Sequence, residues 1–150
     1  MITDPSIGVA VDVNIDFQPP SIERSDMETA AKNAVEILLD EVRQQFQYGG
    51  FPNRWTPLKN GFPSYLFQSG TLLQSLTPST RQELDDWIAR VSTDVEYAPY
   101  HQFGTIYMPA REFMVITKEG VERIEEETLG YLISVLESKP TKGVTKSDEF

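Results

Sequence analysis

Val9-Ala10-Val11-Asp12-Val13-Asn14-Ile15-Asp16-Phe17 alternates apolar and polar side chains over its whole length, the period-two pattern of a strand with one buried face. Pro19-Pro20 ends it. Ser25 with Glu28 then gives a capping-box spacing, and Met27, Ala31, Ala34, Leu38, Val42 and Phe46 recur at three- and four-residue steps. These predict a helix over residues 26 to 47, closed by Gly49-Gly50. At about 1.5 Å per residue the helix spans about 33 Å, and the strand about 30 Å at about 3.3 Å per residue. Elements of matched length with one apolar face each need a common surface to bury, which predicts an α+β domain.

Outward from that pair, Trp87, Ala89 and Val91 alternate again and predict a strand over residues 86 to 92. A partner over 74 to 81, with Glu83-Leu84-Asp85-Asp86 near the turn, makes a hairpin. Pro78 cannot donate to a ladder, which puts the first arm at a sheet edge. Ser69 to Leu76 reads equally as a helical turn or as the start of a strand. Thr117 as cap, with Glu119, Glu122 and Glu125 near the positive end, opens a last helix whose stripe is Val121, Ile124, Thr128, Leu132 and Val135. Pro140 forbids continuation. The expected fold is a small antiparallel or mixed sheet, with residues 112 to 116 as a candidate further strand and two long helices on one face. It forms one domain over residues 1–138, and the polar segment 139–150 is expected to be a mobile tail.

Two stretches stand apart. Residues 48–65 form a long loop in which Gly49, Gly50, Pro52, Pro57, Gly61 and Pro63 are mixed with Phe51, Trp55, Phe62 and Tyr65. Rings of this density either cover an edge of the core or form a binding arm ordered by a partner, and both readings stay open. Tyr97-Ala98-Pro99-Tyr100-His101-Gln102-Phe103-Gly104-Thr105 is followed by Met108-Pro109-Ala110-Arg111-Glu112-Phe113-Met114. Pro99 suits the first turn of a short helix and Gly104 its exit through a left-handed conformation. Tyr97, Tyr100 and Phe103 at three-residue spacing are expected to pack that turn on the sheet. Arg111 among apolar neighbours either snorkels from the core, stands as an ordinary surface arginine or pairs a carboxylate; a partner's carboxylate is the expectation.

Tyr-Ala-x-Tyr-His-Gln-Phe-Gly-Thr followed by Pro-Ala-Arg-x-Phe resembles the signature of tailed-phage virion-morphogenesis proteins, which include tail-completion and head-tail joining factors. The resemblance extends to Trp55-Thr56-Pro57-Leu58, to Leu66-Phe67-Gln68-Ser69-Gly70-Thr71-Leu72 with Ser75, and to the closing helix, covering residues 25 to 137. It implies a structural part of the phage neck or tail end, a homo-oligomeric ring around the DNA path, and other neck or tail proteins as partners. The virion is then its destination and the host cytoplasm its place of assembly. Motif positions Tyr97, Tyr100, His101, Phe103, Gly104, Pro109 and Phe113 would be structural, and Phe51, Trp55, Phe62, Tyr65 and Arg111 would meet the partner.

The chemistry on offer is sparse. Of 150 residues none is cysteine, so disulfides and thiolate metal sites are excluded. A formal charge of −10 opposes adhesion to nucleic acid or anionic membrane, and sequence-specific nucleic-acid binding is not expected. Apolar runs are too short to span a bilayer, and Asp4 and Pro5 do not suit a signal peptide. His101 is the single histidine and no Gly-x-Ser-x-Gly elbow exists. Asp85-Asp86 and Glu125-Glu126-Glu127 read as solvated charge. The sequence therefore predicts a non-enzyme without cofactor or metal, against two alternatives: a small hydrolase using His101 with a carboxylate, and a host-directed binding module.

Overall fold

The computed structural model describes residues 8–16, 19–59 and 70–138. Its centre is the strand Asp86–Thr93, flanked on one side by Val9–Ile15 and on the other by Thr77–Glu83. Numbered along the chain these are β1 (Val9–Ile15), β2 (Thr77–Glu83) and β3 (Asp86–Thr93), in the antiparallel order β1-β3-β2. Ala89 lies opposite both Val13 and Thr80, which fixes the register across the sheet. β3 buries Trp87, Ile88, Ala89 and Val91, whereas the edge strand β2 carries no large apolar side chain. Pro78, Arg81 and Glu83 on that outer strand make it a poor template for further pairing. The hairpin turns through Leu84, which takes φ 58° with its side chain in solvent. Arg90 reaches across to its register partner Asp12 with bonds of 2.6 and 2.8 Å, and that hydrogen bond holds the Asp12 carboxyl below its ordinary range.

The helices are α1 (Arg24–Tyr48), α2 (Thr71–Gln74), α3 (Ala98–Phe103) and α4 (Lys118–Ser138). α1 lies across β3 and β2, and α4 packs along α1. The predicted stripe of α1, Met27, Ala31, Ala34, Leu38, Val42 and Phe46, is buried throughout. Its cap differs from the expected Ser25 and Glu28: Glu23 and Asp26 form the box, and the Glu23 amide donates to Asp26 Oδ2 at 3.4 Å. Ile22 is buried immediately before, so the chain is already anchored and the helix begins two residues earlier. Gly49 closes α1 at φ 67°, ψ 39°, the left-handed exit that glycine takes without strain. Thr117 caps α4 by accepting from the Gly120 amide at 3.0 Å. Gly120 sits where a Cβ would meet the Glu41 carboxylate of α1, which would have to shift. α4 buries Ile124, Thr128 and Leu132, while Val121 and Val135 are half-buried.

One expectation gives way, and one alternative left open is decided in part. Residues 112 to 116 form no strand, because the amides of Phe113 and Met114 are taken by the Gln102 side chain at 3.1 and 2.9 Å instead of by a neighbouring strand. The first part of the 48–65 loop is tied down. Gln45 receives the Phe51 amide at 2.9 Å and donates to its carbonyl at 2.8 Å, and the Trp55 amide donates to Gly49 O at 2.7 Å. Trp55 closes the end of the core edge-on to Phe46, centroids 5.9 Å apart, and Phe113 meets the same ring at 5.6 Å. Phe62, Tyr65 and the tail 139–150 lie outside the described residues.

Candidate functional site

The organising segment has two sides, and the fold assigns them opposite tasks. α3 turns Ala98, Pro99 and Gln102 inward. Tyr97, Tyr100 and Phe103, expected to hold the turn on the sheet, are instead 39%, 47% and 57% exposed. A helix this short can bury one face only, and the four-residue pair Ala98 and Gln102 takes it. Small and polar side chains there let the backbone come close and give the next segment its hydrogen bonds.

After α3 the chain passes Gly104 at φ 75°, ψ 174°, an extended conformation with positive φ that belongs almost to glycine alone. This differs from the left-handed helical exit the sequence suggests, and it demands glycine more strictly: a Cβ would stand 2.7 Å from the Ala110 nitrogen. The next four residues form a tight reversal. Thr105 N donates to Met108 O at 2.9 Å, and Thr105 Oγ1 accepts from the amides of Tyr107 and Met108 at 3.0 and 3.2 Å. At its tip stand Ile106 and Tyr107, 90% and 86% exposed. Five large side chains from 97 to 107 thus face solvent on a backbone held by its own bonds, and together they form an exposed hook.

The inner side is a latch. Arg111 is buried; its amide donates to His101 O at 2.7 Å, and its guanidinium donates to Thr56 O at 2.8 Å and Pro57 O at 3.1 Å. Trp55 Nε1 donates to Glu112 O at 2.9 Å. Trp55 and Arg111, expected as contacts for a partner, are therefore occupied within the chain: each is a long-range bond between residues 55–57 and 111–112. Phe51 is exposed and packs against Tyr48, centroids 5.8 Å apart. Pro109 is exposed and Phe113 fully buried.

His101 lies between the two sides. Its ring is edge-on to Tyr97 at 5.7 Å, and its Nδ1 is buried without a hydrogen-bond partner. Burial first, and then the neighbouring Arg111 charge, lower its pKa, so the imidazole is kept neutral. Among the described residues no carboxylate orients Nδ1, as one must in a catalytic histidine of the triad type. Among the described residues no group of three His, Cys, Asp or Glu side chains could hold a metal ion. Nor is any helix there long and apolar enough to cross a membrane.

Sequence reading missed Gln102, Ile106 and Tyr107. The last two carry a recognisable signal, a two-residue tip between Gly104-Thr105 and Met108-Pro109. Gln102 carries none, since its partners are backbone amides of a segment read as a strand.

No protein-family model matches the chain, and no solved structure matches it. Over 99 residues it is 29% identical to Mu-like prophage FluMu G protein 1 of Haemophilus influenzae, an alignment covering 59% of this chain and 68% of the relative. The chain is thus similar to a protein of a Mu-like prophage.

Proposed function

We propose that the chain is a structural protein of a tailed-phage particle that completes the tail or joins it to the head, assembling in the host cytoplasm as subunits of a ring around the DNA path. The observation that carries this reading is the exposed row Tyr97, Tyr100, Phe103, Ile106 and Tyr107 on a hydrogen-bonded turn. Aromatic anchors on a preorganised backbone lose little entropy on docking, and large apolar side chains exposed together on one short segment favour a protein partner. Similarity to a prophage protein supplies the setting. The neutral His101 without an orienting carboxylate favours a structural role over hydrolysis. A charge of −10 suits a wall past which DNA moves without sticking. The partners are other neck or tail proteins and further copies of the chain.

In-vitro complementation tests this. Lysates lacking the protein should accumulate unjoined heads and tails, and purified protein should restore joined particles. A Phe103→Asp, Tyr107→Asp double variant, folded by circular dichroism, should fail. Full restoration by that variant, or micrographs with one copy at the joint, would overturn the hook or the ring respectively.

A further inference from the structure

A second surface lies away from the hook, between β1 and α4. α1 covers β3 and β2, which leaves β1 without a long helix packed squarely upon it. Val11 and Val13 are accordingly only half-buried. α4 passes alongside and leaves an open groove of about 640 Å³ with Val13, Ile15, Ile124 and Leu129 on its walls. The apolar surface continues along α4 through Leu129, Ile133 and Leu136, 47%, 52% and 37% exposed at four- and three-residue steps. That stripe has the spacing a second helix would pack against.

The rim is of one sign. Asp16, Glu122, Glu125 and Glu126 line the groove, and among the described residues no basic side chain does. Thr128, also in its lining, is buried with its hydroxyl unpartnered. A helical threonine usually returns its hydroxyl to the carbonyl one turn back, and an unmet buried polar atom is costly to leave so. An apolar floor, an acidic rim and an unused hydroxyl specify an occupant with apolar anchors and cationic flanks.

We propose that this groove docks an amphipathic helix of a partner protein, apolar on one face and lined with lysine or arginine on both sides of it. A second copy of the chain is the wrong occupant: an isologous contact would set the four carboxylates against their own images, and the chain as a whole carries −10. The proposal does not depend on the hook or on a phage particle.

The probe is a fluorescein-labelled 18-residue peptide with leucine on one helical face and lysine on the other, titrated at about 0.15 M salt, where distant charges are screened. Anisotropy should show saturable one-to-one binding. Glu122→Lys with Glu125→Lys should weaken it at least about tenfold, as loss of facing charge pairs does. Leu129→Asp should do the same, and both variants should keep the parent's circular dichroism because these side chains are exposed. Asp94→Lys with Glu96→Lys changes the net charge equally, just past Thr93, which pairs with Val9 at the opposite end of β1 from the groove, and should leave binding within about twofold. Equal weakening by that control would reduce the effect to bulk charge and overturn the proposal. So would equal binding of a peptide of the same composition scrambled to destroy its apolar face. Tighter binding after Lys139→Glu, Lys142→Glu and Lys146→Glu would give the groove to the chain's own C-terminal segment instead.

Discussion

Phe103 and Phe113 belong to one aromatic segment, yet the first is 57% exposed and the second is fully buried. The difference follows from where the polar anchors are. Phe113 is drawn in by its own amide, bonded to Gln102 Oε1, and by Arg111 and Glu112 on either side of the Trp55 to Pro57 strap. Phe103 is at the end of a six-residue helix whose inward positions are already held by Ala98, Pro99 and Gln102. Apolar content therefore does not decide burial here. The hydrogen-bonding residues between the rings do, and they leave a set of large side chains over for another surface.

The largest effects should come from the buried side. Phe113→Ala opens a cavity beside Phe46 and Trp55 and should cost about 3–5 kcal/mol, a large share of a small domain's stability. Trp55→Ala should approach it, since it also strands the Glu112 carbonyl. Urea unfolding reads both, and a midpoint unchanged in Phe113→Ala would mean that the latch is not part of the core.

Arg111→Ala should rank next. It removes two charge-assisted bonds to carbonyls together with the packing of the side chain, about 2–4 kcal/mol in total. Arg111→Lys should recover only part, because a single ammonium cannot reproduce the fork that meets Thr56 O and Pro57 O. A stable Arg111→Ala that fails only in particle assembly would restore the guanidinium to a partner and dissolve the division between the two sides.

Phe103→Ala and Tyr107→Ala should lie at the opposite end, within about 0.5–1 kcal/mol of the parent, as exposed substitutions usually do. Their cost should appear in assembly, read as the yield of joined particles. A sharp loss of stability in Phe103→Ala would show the exposed row to be structural.

The long elements were legible because their patterns repeat. α1 and α4 run for six turns or so, and Val9–Ile15 alternates without a break, so one misread residue changes little. Pro78 placed its strand at the edge for a local chemical reason, the missing amide. α3 was legible as an element but not as a face. Over six residues, Tyr97, Tyr100 and Phe103 make as good a stripe as Ala98 and Gln102, and only the sheet's proximity chooses. The latch was hidden for another reason: Arg111 and Trp55 bond across more than fifty residues of chain to backbone atoms, which every residue possesses and no motif marks.

His101 touches both sides, its ring against Tyr97 and its carbonyl holding the Arg111 amide, and it should produce the smallest measurable effect. Burial and the Arg111 charge lower its pKa from 6.5. The unfolded chain therefore takes up a proton at a higher pH than the folded one does. Between the lowered folded value and 6.5, U binds more protons than N, so stability rises with pH and is lost as pH falls through that window. Asp12, whose pKa is lowered from 3.8, contributes only at more acidic pH, so the two titrations are separable. The parent protein should accordingly show a shallow decline in unfolding free energy on acidification from pH 7, and His101→Gln should flatten it. Binding of the hook to its partner, if the two sides are independent, should show no matching inflection. A parent protein that gains stability relative to His101→Gln on acidification through this window would mean that the ring is charged in the fold, with a carboxylate brought to it. The boundary between latch and hook would then run through His101 itself.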